Sequence, residues 1–129
     1  MSTAKTRPMP SRGTGPDNEA FVTAAKEGRL VLRWCDDCGQ THWYPRAVCP
    51  HCWSSRTHWK PASGRGTVYS YSTMHRVDPP YTLAYVTLAE GPTMLTHLVG
   101  PGPYRIGMPV QVRFQASDDG TPVPVFAPA

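Results

Sequence analysis

The stretch CDDCGQTHWYPRAVCPHC, residues 35–52, contains all four cysteines of a chain of 129 residues. They form two CxxC pairs, Cys35 with Cys38 and Cys49 with Cys52, separated by the segment from Gly39 to Val48. Each CxxC pair makes a tight turn that points two thiolates at one ion, and the spacer is long enough for a hairpin to bring the pairs together. The spacing therefore predicts a ribbon that holds one metal ion with four sulfur ligands.

The cysteine pattern has three chemical explanations. Disulfides are disfavoured because the chain shows no export signal and the cytoplasm is reducing. Rubredoxin-type iron stays open, since CDDCG matches one half of such a site, although the second pair, CPHCW, lacks the matching glycine. Zinc fits the spacing best. His51 lies inside the second pair and is an alternative ligand, but four thiolates already suffice, so we expect an exposed turn residue.

A zinc ion with four protein ligands has no open position for water or substrate. A segment of about 20 residues buries too little apolar surface to fold alone, so a metal ion replaces the missing core. We therefore expect one structural zinc ion, held by Cys35, Cys38, Cys49 and Cys52, which leaves no cysteine as a nucleophile.

Positive charge is concentrated at the N-terminus. Residues 1–16 form a Pro-, Gly-, Ser- and Thr-rich tail with three cations, Lys5, Arg7 and Arg12, and no acid, and we expect this tail to be disordered. Without it the net charge falls from +4 to +1. Four thiolates with one zinc ion then take the body to about −1. The folded body is near neutral, which disfavours nucleic acid as a partner.

Residues 17–62 are expected to form an N-terminal helix and the zinc ribbon. The stretch Pro16-Asp17-Asn18-Glu19 supplies a capping residue and acid in the first turn, and Gly28 supplies the stop, so residues 17–27 are predicted to be helical. The apolar run 30–32 is typical of a strand that leads into the first cysteine pair.

Residues 63–129 show the two-residue alternation of β-strands. Five segments are rich in Val, Thr, Tyr and Leu and are predicted to be strands: 66–77, 81–90, 92–100, 108–117 and 121–126. Five short strands with Gly- and Pro-rich connections favour a small closed barrel, because an open sheet would expose its edges. The predicted fold class is mainly β, with a helix, a zinc ribbon and an OB-fold barrel in that order.

The chain has no long apolar run and no secretory signal. No segment approaches the roughly 18 apolar residues that span a bilayer, and the N-terminus MSTAKTRPMPSRGTG lacks an apolar centre. We therefore expect a soluble cytoplasmic protein without a membrane partner.

Several motifs in order resemble a known family. EGRLVLRWCDDCGQTHWYPRAVCPHCWS, GRGTVYSYSTMHR, YTLAYVTLAEG and RIGMPVQVRF are similar to zinc-ribbon plus OB-fold proteins long filed as a domain of unknown function. The likeness covers about residues 17–127. Two positions depart from the family pattern: Phe21-Val22 replaces Phe-Trp, and Trp53 replaces a glycine that often follows the last cysteine. Both departures concern packing and leave the metal site intact.

This resemblance implies an accessory role. Such proteins are small partners of thiolase-fold enzymes that act on CoA thioesters, including thiolases, synthases, acyltransferases and aldolases, and some are fused to hydratases. The OB barrel is thought to take up part of the CoA ester or to order the partner's active site. The resemblance thus implies a hetero-oligomer in which catalysis belongs to the partner. CoA thioester is a candidate bound ligand, and the chain alone is expected to be inactive.

Two groups of residues are candidate contacts. Trp43, Tyr44 and Arg46 lie in the ribbon, and Trp, Tyr and Arg dominate interface hot spots, so they are predicted to contact the enzyme partner; packing within the chain is the alternative. His75 and Arg76 end the first barrel strand and are predicted to lie near the acyl-CoA path, with Arg76 pairing with phosphate; an exposed arginine and a packed histidine are the alternative.

The competing function is binding of single-stranded nucleic acid. OB barrels bind it with stacked aromatic rings and a positive groove. Tyr69 and Tyr71 are predicted to share one side of the first barrel strand, and the cations available to line a groove are Arg76, Arg105 and Arg113.

Overall fold

A computed structural model describes residues 18–44, 46 and 48–129. The predicted basic tail, 1–16, lies outside this part of the chain. The described residues form one α-helix, α1 (Glu19–Lys26), and eight strands: β1 (Val31–Cys35), β2 (Thr41–His42), β3 (Thr57–Pro61), β4 (Arg65–Met74), β5 (Tyr81–Leu88), β6 (Thr93–Leu98), β7 (Pro109–Ala116) and β8 (Pro122–Pro128). In this part of the chain, no helix is both long and apolar enough to cross a membrane.

Helix α1 begins close to the predicted start and ends before a glycine. Its buried face carries Phe21, Val22, Ala24 and Ala25. The backbone N–H groups of Glu27 and Gly28 donate to the carbonyl oxygens of Ala24 and Ala25, and Gly28 takes a φ of +75°. Glycine adopts that left-handed conformation without the steric cost of a Cβ, so the helix stops there.

The ribbon is a three-stranded antiparallel sheet in the order β2-β1-β3. Strand β1 lies in the middle, with Arg33 opposite His42 on one side and Cys35 opposite Thr57 on the other. The predicted strand at 30–32 therefore continues to the first cysteine. Because β2 has two residues, this sheet has little hydrogen bonding of its own along that edge.

The remaining strands form a closed barrel in the order β4-β5-β6-β8-β7, and β7 pairs with β4 to complete it. This confirms the mainly β class and the five-stranded barrel. Gly66 lies where β4 meets both β5 and β7, and a Cβ there would be 2.7 Å from Val86 Cγ1 and 2.8 Å from the Thr87 carbonyl oxygen. The closure thus requires glycine at position 66.

One hydrophobic core joins the helix, the ribbon and the barrel. It includes Phe21 from α1, Leu32 and Trp43 from the ribbon, and Val68 and Phe126 from the barrel. The Phe21 and Trp43 rings meet edge to face with centroids 5.2 Å apart. The short helix is therefore stabilised by tertiary packing, as its length requires.

The segment that connects the ribbon to the barrel is also hydrogen bonded, since the Ser63 backbone N–H donates to Glu90 Oε2 at 2.8 Å.

Candidate metal centre and surfaces

The four cysteine sulfurs converge on one point. All four Sγ atoms lie within 4.8 Å of one another, and none of the cysteines is in a disulfide. Two contacts cross between the CxxC pairs: Cys35 to Cys52 at 3.6 Å and Cys38 to Cys49 at 3.7 Å between Sγ atoms. A tetrahedron with Zn–S bonds of about 2.3 Å has edges of roughly 3.8 Å. The cluster has the ligand chemistry and the dimensions of a structural zinc site.

The two CxxC turns have the same backbone arrangement. The Gly39 N–H donates to the Cys35 carbonyl oxygen at 2.9 Å, and the Trp53 N–H donates to the Cys49 carbonyl oxygen at 2.8 Å. Gly39 and Trp53 occupy equivalent positions and both adopt left-handed backbone, with φ of +71° and +66°. This conformation explains why glycine suits the position, and Trp53 adopts it with an exposed side chain.

The thiols are too close together for all four to ionise without a cation. The Cys38 backbone N–H lowers the pKa of the Cys35 thiol to about 7. At Cys52 the Ser54 backbone N–H has the same effect, but burial and the hydrogen bonds of the other three cysteines outweigh it and raise the pKa to about 12. A bound divalent ion lowers the pKa of the thiols, since its positive charge stabilises the thiolate ligands.

Acidic side chains beside the cluster connect the two turns. Asp37 accepts from Arg56 Nη1 at 3.0 Å and also contacts the Ser54 hydroxyl. Asp36 lies 3.4 Å from His58 Nδ1. Among the described residues, the candidate metal cluster contains the cysteines alone, so His51 is not part of it; its backbone N–H donates to Cys49 Sγ at 3.4 Å.

A glycine at position 53 tests the conformational cost of Trp53. A side chain with a Cβ loses about 1 kcal/mol or more in left-handed backbone. We expect Trp53→Gly to be more stable than Trp53→Ala by about 1 kcal/mol, because the alanine variant keeps the Cβ while both variants lose the ring. Urea denaturation in excess zinc measures the difference.

Gly39→Ala serves as the control at the equivalent position. A Cβ there has no heavy atom within 4 Å, so only the backbone conformation is affected. We expect Gly39→Ala to lose about 1 kcal/mol of stability. Equal stability of the Trp53→Gly and Trp53→Ala proteins would show that φ at this position carries no cost.

Of the predicted ribbon contacts, Trp43 is internal. Its side chain is 4% exposed and packs on Phe21, which corrects the expectation that it offers free surface. Tyr44 is 56% exposed, with its ring centroid 6.3 Å from that of Trp43, and Arg46 is exposed. Tyr44 and Arg46 therefore remain the surface members of the predicted partner contact. The buried Trp43 ring contacts the Tyr44 ring.

His42 is a buried histidine that the sequence did not single out. It is 5% exposed, and neither ring nitrogen has a hydrogen-bond partner within the described part of the chain. Burial, followed by the positive charge of Arg33, lowers its pKa below the usual 6.5. The folded protein therefore holds His42 neutral.

This burial predicts a pH dependence of stability. Just below pH 6.5 the unfolded chain protonates His42 and the folded chain does not, so the free energy of unfolding falls as pH decreases, by at most about 1.4 kcal/mol per pH unit. We expect the His42→Gln variant to lose less stability than the natural chain between pH 7 and pH 5.5. Parallel losses at equal zinc content would contradict this.

His75 and Arg76 are exposed in the turn between β4 and β5. The two residues are adjacent in sequence and follow the last residue of β4, Met74. In the sequence they are remote from the four cysteines. The cations named for a nucleic-acid groove are dispersed over three elements: Arg76 in this turn, Arg105 in the loop before β7, and Arg113 on β7.

A β-bulge between Val68 and Ser70 corrects the predicted pairing of Tyr69 with Tyr71. Tyr71 lies opposite Ala84, a buried residue, and its hydroxyl donates to the Tyr104 carbonyl oxygen at 2.9 Å. Tyr69 is 67% exposed on the bulge. The two rings therefore do not form one stacking platform.

A second surface, which we call the β5 outer face, was not predicted. It consists of Ser70, Ser72, Leu83, Tyr85 and Leu95, which together with Tyr71 and Ala84 line a groove of about 330 Å³. Register places Ser72 opposite Leu83, Ser70 opposite Tyr85, and Tyr85 opposite Leu95. In the sequence the signal is the absence of Asp, Glu, Lys and Arg from β5 and β6.

Fold and metal centre together define a zinc-ribbon and OB-fold protein whose metal site is structural. The family model for the ChsH2 rubredoxin-like zinc ribbon domain matches residues 22–58, and the model for the ChsH2 C-terminal OB-fold domain matches residues 59–115. The solved structure described as Ltp2-ChsH2(DUF35) aldolase is 36% identical with a TM-score of 0.79, covering 92% of this chain and 98% of that one. The chain belongs to the DUF35 family of ChsH2-type proteins.

Two curated relatives are also similar. A probable enoyl-CoA hydratase alpha subunit of Thermomonospora curvata is 38% identical over 95% of this chain, which spans 40% of that protein's length. The benzoylsuccinyl-CoA thiolase subunit BbsA of Thauera aromatica is 30% identical over 69% of this chain and 67% of its own length. The relatives are thus subunits of enzymes that are named for CoA esters.

Proposed function

We propose that this chain is a non-catalytic accessory subunit of a thiolase-fold enzyme that acts on CoA thioesters or related acyl substrates. The observation that carries the proposal is the similarity to a thiolase subunit and to the Ltp2-ChsH2(DUF35) aldolase, over most of this chain in the latter case. The metal centre agrees with it, because four cysteine ligands leave zinc no open position for catalysis. The partner performs acyl transfer, condensation or retro-aldol cleavage, and the complex is cytoplasmic.

Affinity purification of the tagged protein from its native cells tests this function. The eluate is analysed by mass spectrometry and by its 260/280 nm absorbance ratio. We expect a near-stoichiometric thiolase-fold enzyme and a protein-like ratio. A high ratio without an enzyme would instead assign the barrel to nucleic acid and overturn the proposal.

Within this function, the exposed Arg76 is proposed to pair with a phosphate of the CoA ester, beside His75. We expect Arg76→Ala to weaken binding of the CoA ester to the purified complex about tenfold, since a charge-assisted hydrogen bond contributes about 1.5–3 kcal/mol. Arg113→Ala is the matched control, because Arg113 is exposed on a different strand. Calorimetry gives both affinities, and equal values would remove Arg76 from the site.

The ribbon contact has a separate test. Tyr44→Ala with Arg46→Ala is expected to weaken the complex without loss of zinc, since both side chains are exposed. Trp43 is left unchanged, because its removal would disturb the core. An unchanged affinity for the enzyme subunit would exclude this contact.

A further inference from the structure

The β5 outer face has the composition of a protein interface. Tyr85 and Leu95 are 48% and 40% exposed and lie directly opposite each other, and Leu83 continues the apolar surface. No Asp, Glu, Lys or Arg occurs in β5 or β6, in a chain of which these four residue types make up 17%. His97 of β6 lies opposite Leu83, with its ring centroid 5.7 Å from that of Tyr81. Depletion of charge with enrichment of tyrosine distinguishes the centre of an interface from ordinary surface. By contrast, the exposed side of β7 carries Arg113.

This absence of charge restricts the occupant. A nucleic acid or the phosphates of a CoA ester require permanent cations, and β5 and β6 contain no Lys or Arg. An added β-strand requires a free sheet edge, and β5, at the centre of this face, is paired with β4 on one side and with β6 on the other. The occupant must therefore dock through apolar and uncharged polar side chains.

The groove indicates how such a partner is held. Ser70 and Ser72 are small, so they leave a depression beside Leu83, Tyr85 and Leu95, with a volume of about 330 Å³. An apolar side chain from a partner can fill this depression, while the serine hydroxyls accept or donate hydrogen bonds at its floor.

The size of the face indicates a part of an interface. Three strands about 4.8 Å apart, with a rise of about 3.3 Å per residue, present a surface of roughly 14 by 25 Å. A stable interface covers about 800 Å² on each partner, so the face supplies less than half of it. The rest must come from neighbouring surface, such as Tyr69 on the bulge, which is 67% exposed.

We propose that the β5 outer face is the centre of the interface with the thiolase-fold enzyme, and that it receives an uncharged, apolar surface of that enzyme. This inference rests on the proposed function, which supplies the identity of the partner. It adds a barrel surface to the ribbon contact predicted at Tyr44 and Arg46.

The test uses the enzyme subunit identified by affinity purification, produced separately and titrated with purified variants of this chain. Leu95→Glu and Tyr85→Glu each place a negative charge on the face, and we expect each to raise the dissociation constant at least tenfold. The controls are Gln115→Glu, which adds the same charge on β7, and Arg113→Glu; both are expected to bind normally. Zinc content and thermal melting confirm that each variant is folded. Hydrogen exchange at β5 and β6 should be slower in the unmodified complex than in this chain alone.

The failures are distinguishable. Recovery of no thiolase-fold enzyme overturns the proposed function and this inference with it. Normal binding of the folded Leu95→Glu and Tyr85→Glu chains, with no protection of β5 and β6, overturns the inference alone. Dimerisation of the isolated chain that Leu95→Glu abolishes would assign the face to a second copy instead, which also overturns it.

Discussion

Cys49→Ser is expected to abolish stoichiometric zinc binding and to unfold the ribbon. Cys49 is fully buried and lies 3.7 Å from Cys38 Sγ within the sulfur cluster. Structural zinc contributes about 10–16 kcal/mol of folding free energy in small zinc domains at neutral pH, as much as the total stability of many proteins. A serine hydroxyl does not replace a thiolate, so we expect loss of the metal and exposure of Trp43. Metal analysis and tryptophan fluorescence measure the two effects.

His51→Ala is the matched control. His51 lies between Cys49 and Cys52 but outside the cluster of sulfur ligands, so this variant should keep one zinc ion and its fold. Retention of one equivalent of zinc by Cys49→Ser, or loss of zinc from His51→Ala, would refute the four-cysteine site. A red protein with iron in place of zinc would keep the ligands and change the metal.

Phe126→Ala is expected to destabilise the chain by about 3–5 kcal/mol, since removal of a buried phenylalanine leaves a cavity. Phe126 is fully buried and lies opposite Leu98 on β6 and Val112 on β7, where β8 closes the barrel. Its carbonyl oxygen also accepts from the Val99 backbone N–H at 2.8 Å. Denaturant titration in excess zinc gives the change in free energy of unfolding.

Ile106→Ala is the corresponding control on the surface. Ile106 is 69% exposed, so its truncation should change stability by no more than about 0.5 kcal/mol. A loss below about 1 kcal/mol for Phe126→Ala would mean that the barrel closes without this side chain.

Local chemistry made most of the architecture predictable. Metal ligands must lie at short, regular spacing, so the two CxxC pairs predicted the ribbon and its ligand set before any packing was known. The alternation of apolar residues also placed the five barrel strands close to their observed bounds. The acid at Glu19 and the stop at Gly28 predicted the helix, whereas the predicted N-terminal cap forms no side-chain capping hydrogen bond at Asn18.

Packing decided the features that depend on distant residues. Trp43 is equally consistent in sequence with a surface anchor or a core residue, and packing in the shared core, including contact with Phe21, buries it. The bulge that separates Tyr69 from Tyr71 depends on pairing with β5. The burial of His42 also depends on a residue distant in sequence, because β2 pairs with β1 and places His42 opposite Arg33.

By itself, the sequence determined the metal ligands, the order of helix, ribbon and barrel, and the family. The ligands and the element order follow from residue types at short separations, and the family follows from the resemblance of several motifs in order. Only the tertiary structure decided which aromatic residues are buried and that Ser70, Tyr85 and Leu95 share one uncharged face. That face is assembled by strand register across three strands, which no local pattern specifies.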